Sequence, residues 1–325
     1  MQERIGAYLI PGTDLHLAVE LARAVEAWGY ESLWVTHGGG RDAFLVLSAY
    51  GQATRTIGLG TGVVPIYPRH PVALAQEALT LAELSSGRFR LGIGVSHRPS
   101  MTEALGLELG EPLKVMREYV AVLRAALVGQ VEHAGERYRV HWKSALPRLP
   151  EPPPLLLAGL SAKMLELAGE IADGVILWLC TPAYVRQVVL PAVGRGRERA
   201  GKPLEGFEIV AAVPAALTTE VAKTTALFKD ELVRYLQLPF YRAMLAASGF
   251  GEALAAFDRG RSQASSPAHA VPDQLVGALG AIGDANLVRA YLGAYRQAGV
   301  TLPAIRPIGF PDAPHARPTL QAFAA

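Results

Sequence analysis

The chain has 325 residues, half of them apolar, with 31 basic and 29 acidic side chains and a formal net charge of +2. Lysines and arginines are scattered rather than clustered, which argues against a nucleic-acid face. One cysteine, Cys180, excludes an internal disulfide and suits a reducing compartment. The amino-terminal apolar run is too short for a signal-peptide core, and no stretch reaches the apolar length of a membrane span, so a cytoplasmic protein with no membrane partner is expected.

In chain order, strand alternates with helix. Residues 5–10 read as a short strand closed by Pro11-Gly12, and Asp14 caps a helix that reaches Trp28 and stops at Gly29. A second strand, 32–36, leads into His37 and three glycines, after which Asp42 opens a helix to about Thr54. The third strand, 57–64, is interrupted by Gly58, Gly60 and Gly62. Pro65, Pro68 and Pro71 then break the chain, with Arg69 and His70 between them, before a helix over 72–84 and a fourth strand over 89–95. A helix from Pro112 to Val128 follows, then a hairpin over 131–141 turning at Ala134-Gly135, and a proline-rich stretch, 146–154, that resembles a linker without marking a domain boundary.

Strand 155–158, helix 162–172, strand 174–179, helix 182–200 and strand 207–215 continue the pattern. Residues 218–270 are helical with breaks and read as an insertion over one end of the fold. A helix over 284–298 and a strand over 302–308 complete it. Eight strands separated by helices imply parallel neighbours and favour a closed (β/α)8 TIM barrel, one domain over residues 1–325, rather than an open sheet.

Gly92-Ile93-Gly94 and Gly58-Leu59-Gly60 are lone GxG pairs that do not continue into a dinucleotide fingerprint. No P-loop, HExxH, GxSxG or metal-spaced Cys/His set is present, and no metal is expected. What remains is a set of strand ends, and a barrel gathers these at one mouth. They are His37 after the second strand, Gly62-Val63 in the third, Ser96-His97 after the fourth, Gly159-Leu160-Ser161 after the fifth and Trp178 closing the sixth.

Small residues at Gly62, Gly94 and Gly159 would let the backbone approach a flat ring or a phosphate. Ser161 reads as a phosphate contact at a helix start or as an ordinary N-cap. His37 and His97 suit proton handling at neutral pH, whereas His70 reads as a loop-holding residue. Glu103 reads as a helix or loop anchor, Cys180 as a buried thiol, and Tyr235, Phe240 and Tyr241 as an apolar lid or as helix packing.

Residues 61–97, TGVVPIYPRHPVALAQEALTLAELSSGRFRLGIGVSH, resemble the RHP-x-x-x-A…LS-x-GR-x-x-LG-x-G signature of the luciferase-like flavin and deazaflavin oxidoreductases. AGLSAKMLELAGEIADG (158–174) is similar to the family's phosphate loop, helix and A-D-G turn, and WGYESLWVTH (28–37) to its second-strand motif ending in a cofactor-side histidine. The resemblance implies an insertion after the seventh strand, a non-prolyl cis peptide at Gly62–Val63 and a flavin-type ring in the barrel mouth. It places His37, Gly62, Val63, Gly94, Val95, Ser96, Gly159, Leu160, Ser161 and Trp178 against that cofactor, with Lys163 beside Ser161 near its phosphate.

FMN users of the family often carry an arginine where Val95 stands, so the resemblance favours coenzyme F420, a deazaflavin that moves hydride only, over FMN. Members acting on alcohols or sugars commonly carry an acid beside the second-strand histidine, where this chain has Thr36 and glycines. The expectation is an F420-dependent oxidoreductase acting on a small organic molecule, with His37 and His97 as proton-handling residues and a homodimer formed through outer helices. An FMN-dependent monooxygenase and a non-redox cofactor-binding protein on the same fold are the alternatives.

Overall fold

A computed structural model describes residues 3–38, 40–146, 151–309 and 315–323. Eight strands line one cylinder: β1 (Gly6–Leu9), β2 (Ser32–Val35), β3 (Gly58–Thr61), β4 (Phe89–Gly94), β5 (Leu155–Ala158), β6 (Gly174–Trp178), β7 (Glu208–Leu217) and β8 (Leu302–Pro307). All their pairings are parallel, and β7 bonds both β6 and β8 while β8 bonds β1, which closes the barrel. Helices such as Leu15–Ala27, Ala43–Ala53 and Pro71–Leu84 pack outside, the first two started by caps the sequence announced and the third by His70, expected only to hold its loop. Asp14 accepts from the amides of His16 and Leu17, Asp42 from those of Phe44 and Leu45, and His70 from that of Val72.

The barrel interior is filled by inward residues spaced two apart: Tyr8, Trp34, Leu156, Ile176, Val210, Ala212, Leu302 and Ala304. Trp34 is completely buried, and its Nε1 donates to Ser32 Oγ at 2.9 Å. An indole of that size fits only because the neighbouring strand β3 is nearly bare there, with Gly60 as the register partner of Trp34. A Cβ on Gly60 would overlap the Trp34 ring, and one on Gly62 would overlap the Tyr8 phenol. The glycines of the third strand thus make room first for neighbouring side chains. At the amino-terminal end of the strands, Arg4, Glu31, Arg90 and Glu208 form an ion-pair network, which seals the barrel floor.

Several elements differ from the sequence expectation. The third strand does not run through 57–64; it divides into Gly58–Thr61 and a two-residue bridge, Val64–Pro65, on either side of the cis Gly62–Val63 peptide. The helix expected over 182–200 contains a π-helical turn, Val185–Val189, ahead of Leu190–Arg199. Pro191 has no N–H to offer the carbonyl four residues back, so the preceding turn widens.

The insertion carries helices Val221–Leu236, Pro239–Ala247 and Gly251–Gly260. It returns through Asp273–Leu279 to a strand not anticipated, Ala281–Gly283, which pairs with the far end of β7. Three residues are too few to show a period. A short terminal helix, Ala316–Gln321, was also not anticipated; it docks through Tyr30 Oη, which donates to Leu320 O at 2.7 Å. Part of the proline-rich stretch 146–154 lies outside the described residues.

Candidate active site

Parallel closure brings the carboxyl ends of all eight strands to one mouth, and there the predicted residues divide into three neighbourhoods. The first is built on β2 and β3. Gly62 N–H donates to Val35 O at 2.8 Å, His37 N–H to Val63 O at 3.3 Å, and Thr36 Oγ1 to Gly62 O at 3.0 Å. These bonds hold the cis Gly62–Val63 segment against the start of the next loop. The His37 ring points into the following helix, where its Nδ1 accepts the Ala43 amide at 3.2 Å. Both ring nitrogens thus face N–H donors, Nδ1 the Ala43 amide and Nε2 the Arg69 guanidinium, a setting that disfavours the charged ring.

His37 Nε2 lies 3.4 Å from Arg69 Nη1, and Arg69 is itself bound to Asp42 at 2.7 Å and to Glu77 at 3.1 Å. Burial, and then the Arg69 cation, lower the His37 pKa; nearby Asp42 opposes them. The imidazole is held neutral. Burial raises the Glu77 carboxyl despite Arg69.

The second neighbourhood is the start of helix Ala162–Ile171. Ser161 caps it by accepting the Met164 amide at 3.3 Å, so the Ser161 Oγ is engaged as a cap, and exposed Lys163 stands in the first turn. The amides of the first turn have no partner within the helix. Gly159 lies close to the Met164 side chain, and Leu160 O accepts the Tyr184 hydroxyl at 2.8 Å.

The third neighbourhood is aromatic. His97 meets Tyr235 at 6.1 Å and Tyr241 at 5.7 Å between ring centroids, Tyr235 meets Tyr241 at 5.1 Å, and Trp178 meets Tyr235 at 5.9 Å. Burial, reinforced by Arg234, lowers the His97 pKa, so this ring too is neutral. Just before it, Ser96 takes φ 60°, and Leu179, following Trp178, takes φ 48°. Non-glycine residues in the left-handed region gather at sites where the surroundings dictate the backbone. Gly94 connects this side to the first neighbourhood, since a Cβ there would meet Val63 and Ala158 at 3.0–3.1 Å. Val95 is half-buried at the edge of the cluster.

The two histidines named from the sequence are therefore in different surroundings, His37 in a hydrogen-bonded ionic network and His97 among rings. His70 caps helix Pro71–Leu84 and lies edge-on to Tyr138, a structural role. Cys180 is buried with its thiol pushed far up by that burial, which removes it as a nucleophile. Glu103 ends a single π-helical turn, Pro99–Glu103. Phe240, grouped with the tyrosines by sequence, is 62% exposed and takes no part.

Sequence reasoning missed Tyr8, Asp42 as a partner of Arg69, Glu231 and Arg306. A signal existed for the last: an arginine inside the apolar strand LPAIRP must be buried with a partner or point away from the core. Among the described residues no group of His, Cys, Asp and Glu is arranged to hold a metal, and no helix is long and apolar enough to cross a membrane.

A family model described as luciferase-like monooxygenase matches residues 1–302. The chain belongs to this family. This luciferase-like protein is 30% identical over 309 residues to a Mycobacterium tuberculosis protein named, provisionally, a coenzyme F420-dependent oxidoreductase, covering 87% of this chain and 88% of the relative. In fold it is similar to the coenzyme F420-dependent tetrahydromethanopterin reductase of Methanopyrus kandleri, with a TM-score of 0.85, 21% identity and coverage of 100% and 98% of the two chains. It is also similar to an F420-dependent secondary alcohol dehydrogenase solved with an F420–acetone adduct, with a TM-score of 0.80, 19% identity and coverage of 100% and 98%.

Proposed function

We propose that this luciferase-like protein is a coenzyme F420-dependent oxidoreductase that moves a hydride between the deazaflavin and a small organic substrate. The observation that carries this reading is the adjacency, at one barrel mouth, of two complementary surfaces. One is a helix start with unpaired amides beside Lys163; the other is a wall of neutral rings in which Trp178 Nε1 is buried with no hydrogen-bond partner. The first fits a phosphate and the second a planar heterocycle. The choice of deazaflavin over FMN rests on the mycobacterial relative and on Val95, which stands where FMN users of the family often carry an arginine.

Bound there, the deazaflavin supplies a centre that accepts or releases hydride without activating oxygen. The chain supplies the rest. The first-turn amides and Lys163 would hold the phosphate, Gly62, Val63 and Gly94 would back the ring, and Val95, Ser96, Gly159 and Leu160 would stand at its margins. His37, its Nδ1 tied to Ala43 and its Nε2 beside Arg69, would stand neutral near the polar edge of the ring. His97, neutral and among aromatics, handles the proton on the substrate side. The insertion excludes water over that side. We place the protein in the cytoplasm, as a homodimer formed through its outer helices.

Titrating the purified chain with F420 and with FMN, each followed by its own fluorescence, tests the cofactor. F420 is expected to bind at least about tenfold more tightly, a difference of about 1.4 kcal/mol. Tighter binding of FMN would overturn the assignment.

A further inference from the structure

Tyr8 carries a buried hydroxyl that the hydride-transfer reading does not use. It is the register partner of Trp34 on neighbouring β2, and like Trp34 it turns into the barrel. Two residues beyond Trp34, the strand period returns Thr36 to that inner side, half-buried at the mouth. Gly62 lies against the same phenol. A Cβ there would overlap the Tyr8 hydroxyl and the ring carbons beside it, so only a glycine lets the peptide rest on this ring.

The polar atoms of these three residues form a chain. Thr36 Oγ1 donates to Gly62 O at 3.0 Å. A threonine has one hydrogen to give, so what its oxygen turns to the Tyr8 hydroxyl, within hydrogen-bonding reach, is a lone pair. Burial pushes the Tyr8 phenol far above its usual value, so it keeps the proton it donates. The direction is fixed from end to end: Tyr8 Oη–H to Thr36 Oγ1–H to Gly62 O. Hydrogen bonds in series polarise and strengthen one another where water is excluded.

Of the two carbonyls in the Gly62–Val63 segment, that of Val63 is held by the His37 amide and that of Gly62 by side chains. Family members acting on alcohols or sugars commonly carry an acid beside the second-strand histidine. An ionised acid at position 36 would have no hydrogen to offer Gly62 O, and in this chain the place goes to a donor.

We propose that Tyr8 and Thr36 are positioning residues for the cofactor: their hydroxyl chain fixes the Gly62 carbonyl and, with it, the backbone surface against which the ring lies. That this surface meets a deazaflavin rests on the hydride-transfer reading above; the hydroxyl chain does not.

The test labels the full chain with carbon-13 at glycine carbonyls and nitrogen-15 at valine amides, so that only Gly–Val peptides give a correlated signal. The sequence has four, at residues 62–63, 94–95, 174–175 and 299–300, and Val63→Ile identifies the first by removing it. Without cofactor, Thr36→Val, which removes the donor at nearly constant volume, is expected to move the Gly62 carbonyl upfield, as loss of a hydrogen bond does. Tyr8→Phe should move it less and in the same direction, and Thr36→Ser should leave it near its wild-type position.

Titrated with F420 by fluorescence, Thr36→Val is expected to bind about five- to tenfold more weakly and Tyr8→Phe about threefold more weakly, the worth of one hydrogen bond and of part of one. Thr36→Ser should stay within about twofold of the wild type. The Tyr8→Phe, Thr36→Val double variant should bind no more weakly than Thr36→Val, because both changes act through one oxygen.

A Gly62 carbonyl unmoved in Thr36→Val and Tyr8→Phe would overturn the proposal. So would an F420 affinity unchanged in both with only the thermal midpoint lowered, the pattern of a purely structural role. Additive losses in the double variant would overturn the part given to Tyr8. Should Tyr8→Phe fail to fold, Thr36→Val set against Thr36→Ser decides the matter. A wild type that binds no F420 while its Gly62 carbonyl responds to both substitutions would sink the cofactor reading and uphold the hydroxyl chain.

Discussion

The chemistry of the mouth depends on which side chains stay uncharged. His37 and His97 both have pKa values lowered by burial, helped by Arg69 in one case and Arg234 in the other. A histidine whose folded pKa lies below its unfolded value binds fewer protons in the folded state. Its contribution to stability is complete above the unfolded value of 6.5 and is lost as pH falls through that value towards the folded one. Thermal midpoints of the wild type should therefore drop on acidification below pH 6.5, while the His37→Gln, His97→Gln double variant should drop less. Parallel profiles would show that neither ring is held neutral by its surroundings. The same residues illustrate how far local sequence reaches. His37, Ser161 and Trp178 were recognisable as strand-end residues, but the sequence could not reveal that His37 Nδ1 is engaged by Ala43 or that His97 sits among tyrosines 138 and more positions away.

At the scale of elements, the third strand carries the tightest constraint. Gly62 suggested close approach to a ligand, whereas the structure assigns Gly60 and Gly62 first to the rings of Trp34 and Tyr8. Gly60→Ala should cost about 1–3 kcal/mol through overpacking of the barrel interior. Because the clash is with a side chain, Trp34→Leu should recover part of that cost, giving a non-additive double-mutant cycle in urea denaturation. Additive losses would mean the strain is in the backbone instead. Strand and helix order could be read from hydrophobic periods and caps, and most boundaries fall within a residue or two of those expected. The exceptions have physical causes: a proline that widens a helical turn, a cis bond that divides a strand, and a three-residue strand with no period to read.

For the whole molecule, closure of the sheet decides where everything else goes. The ion-pair floor of Arg4, Glu31, Arg90 and Glu208 seals one end, and the insertion roofs the other through Glu231 and Arg306. The outer surface retains apolar side chains on adjacent helices, Leu17 at 53% and Leu45 at 73% exposure, which is the face we assign to the dimer. Leu45→Asp should shift the protein from dimer to monomer in sedimentation velocity while leaving F420 binding unchanged. A wild-type monomer, or a variant that stays dimeric, would move the interface elsewhere or remove it.

Strand–helix alternation, helix caps and the glycine-rich strand tips were properties of the chain itself, because each depends on neighbours a few residues apart. They sufficed for the barrel and its family. The pairing of Arg306 with Glu231, the unmet N–H of Trp178 and the rings around His97 depended on the closed barrel and the insertion folded over it. Those contacts join residues separated by scores of positions, and no local pattern encodes a distance that only packing creates.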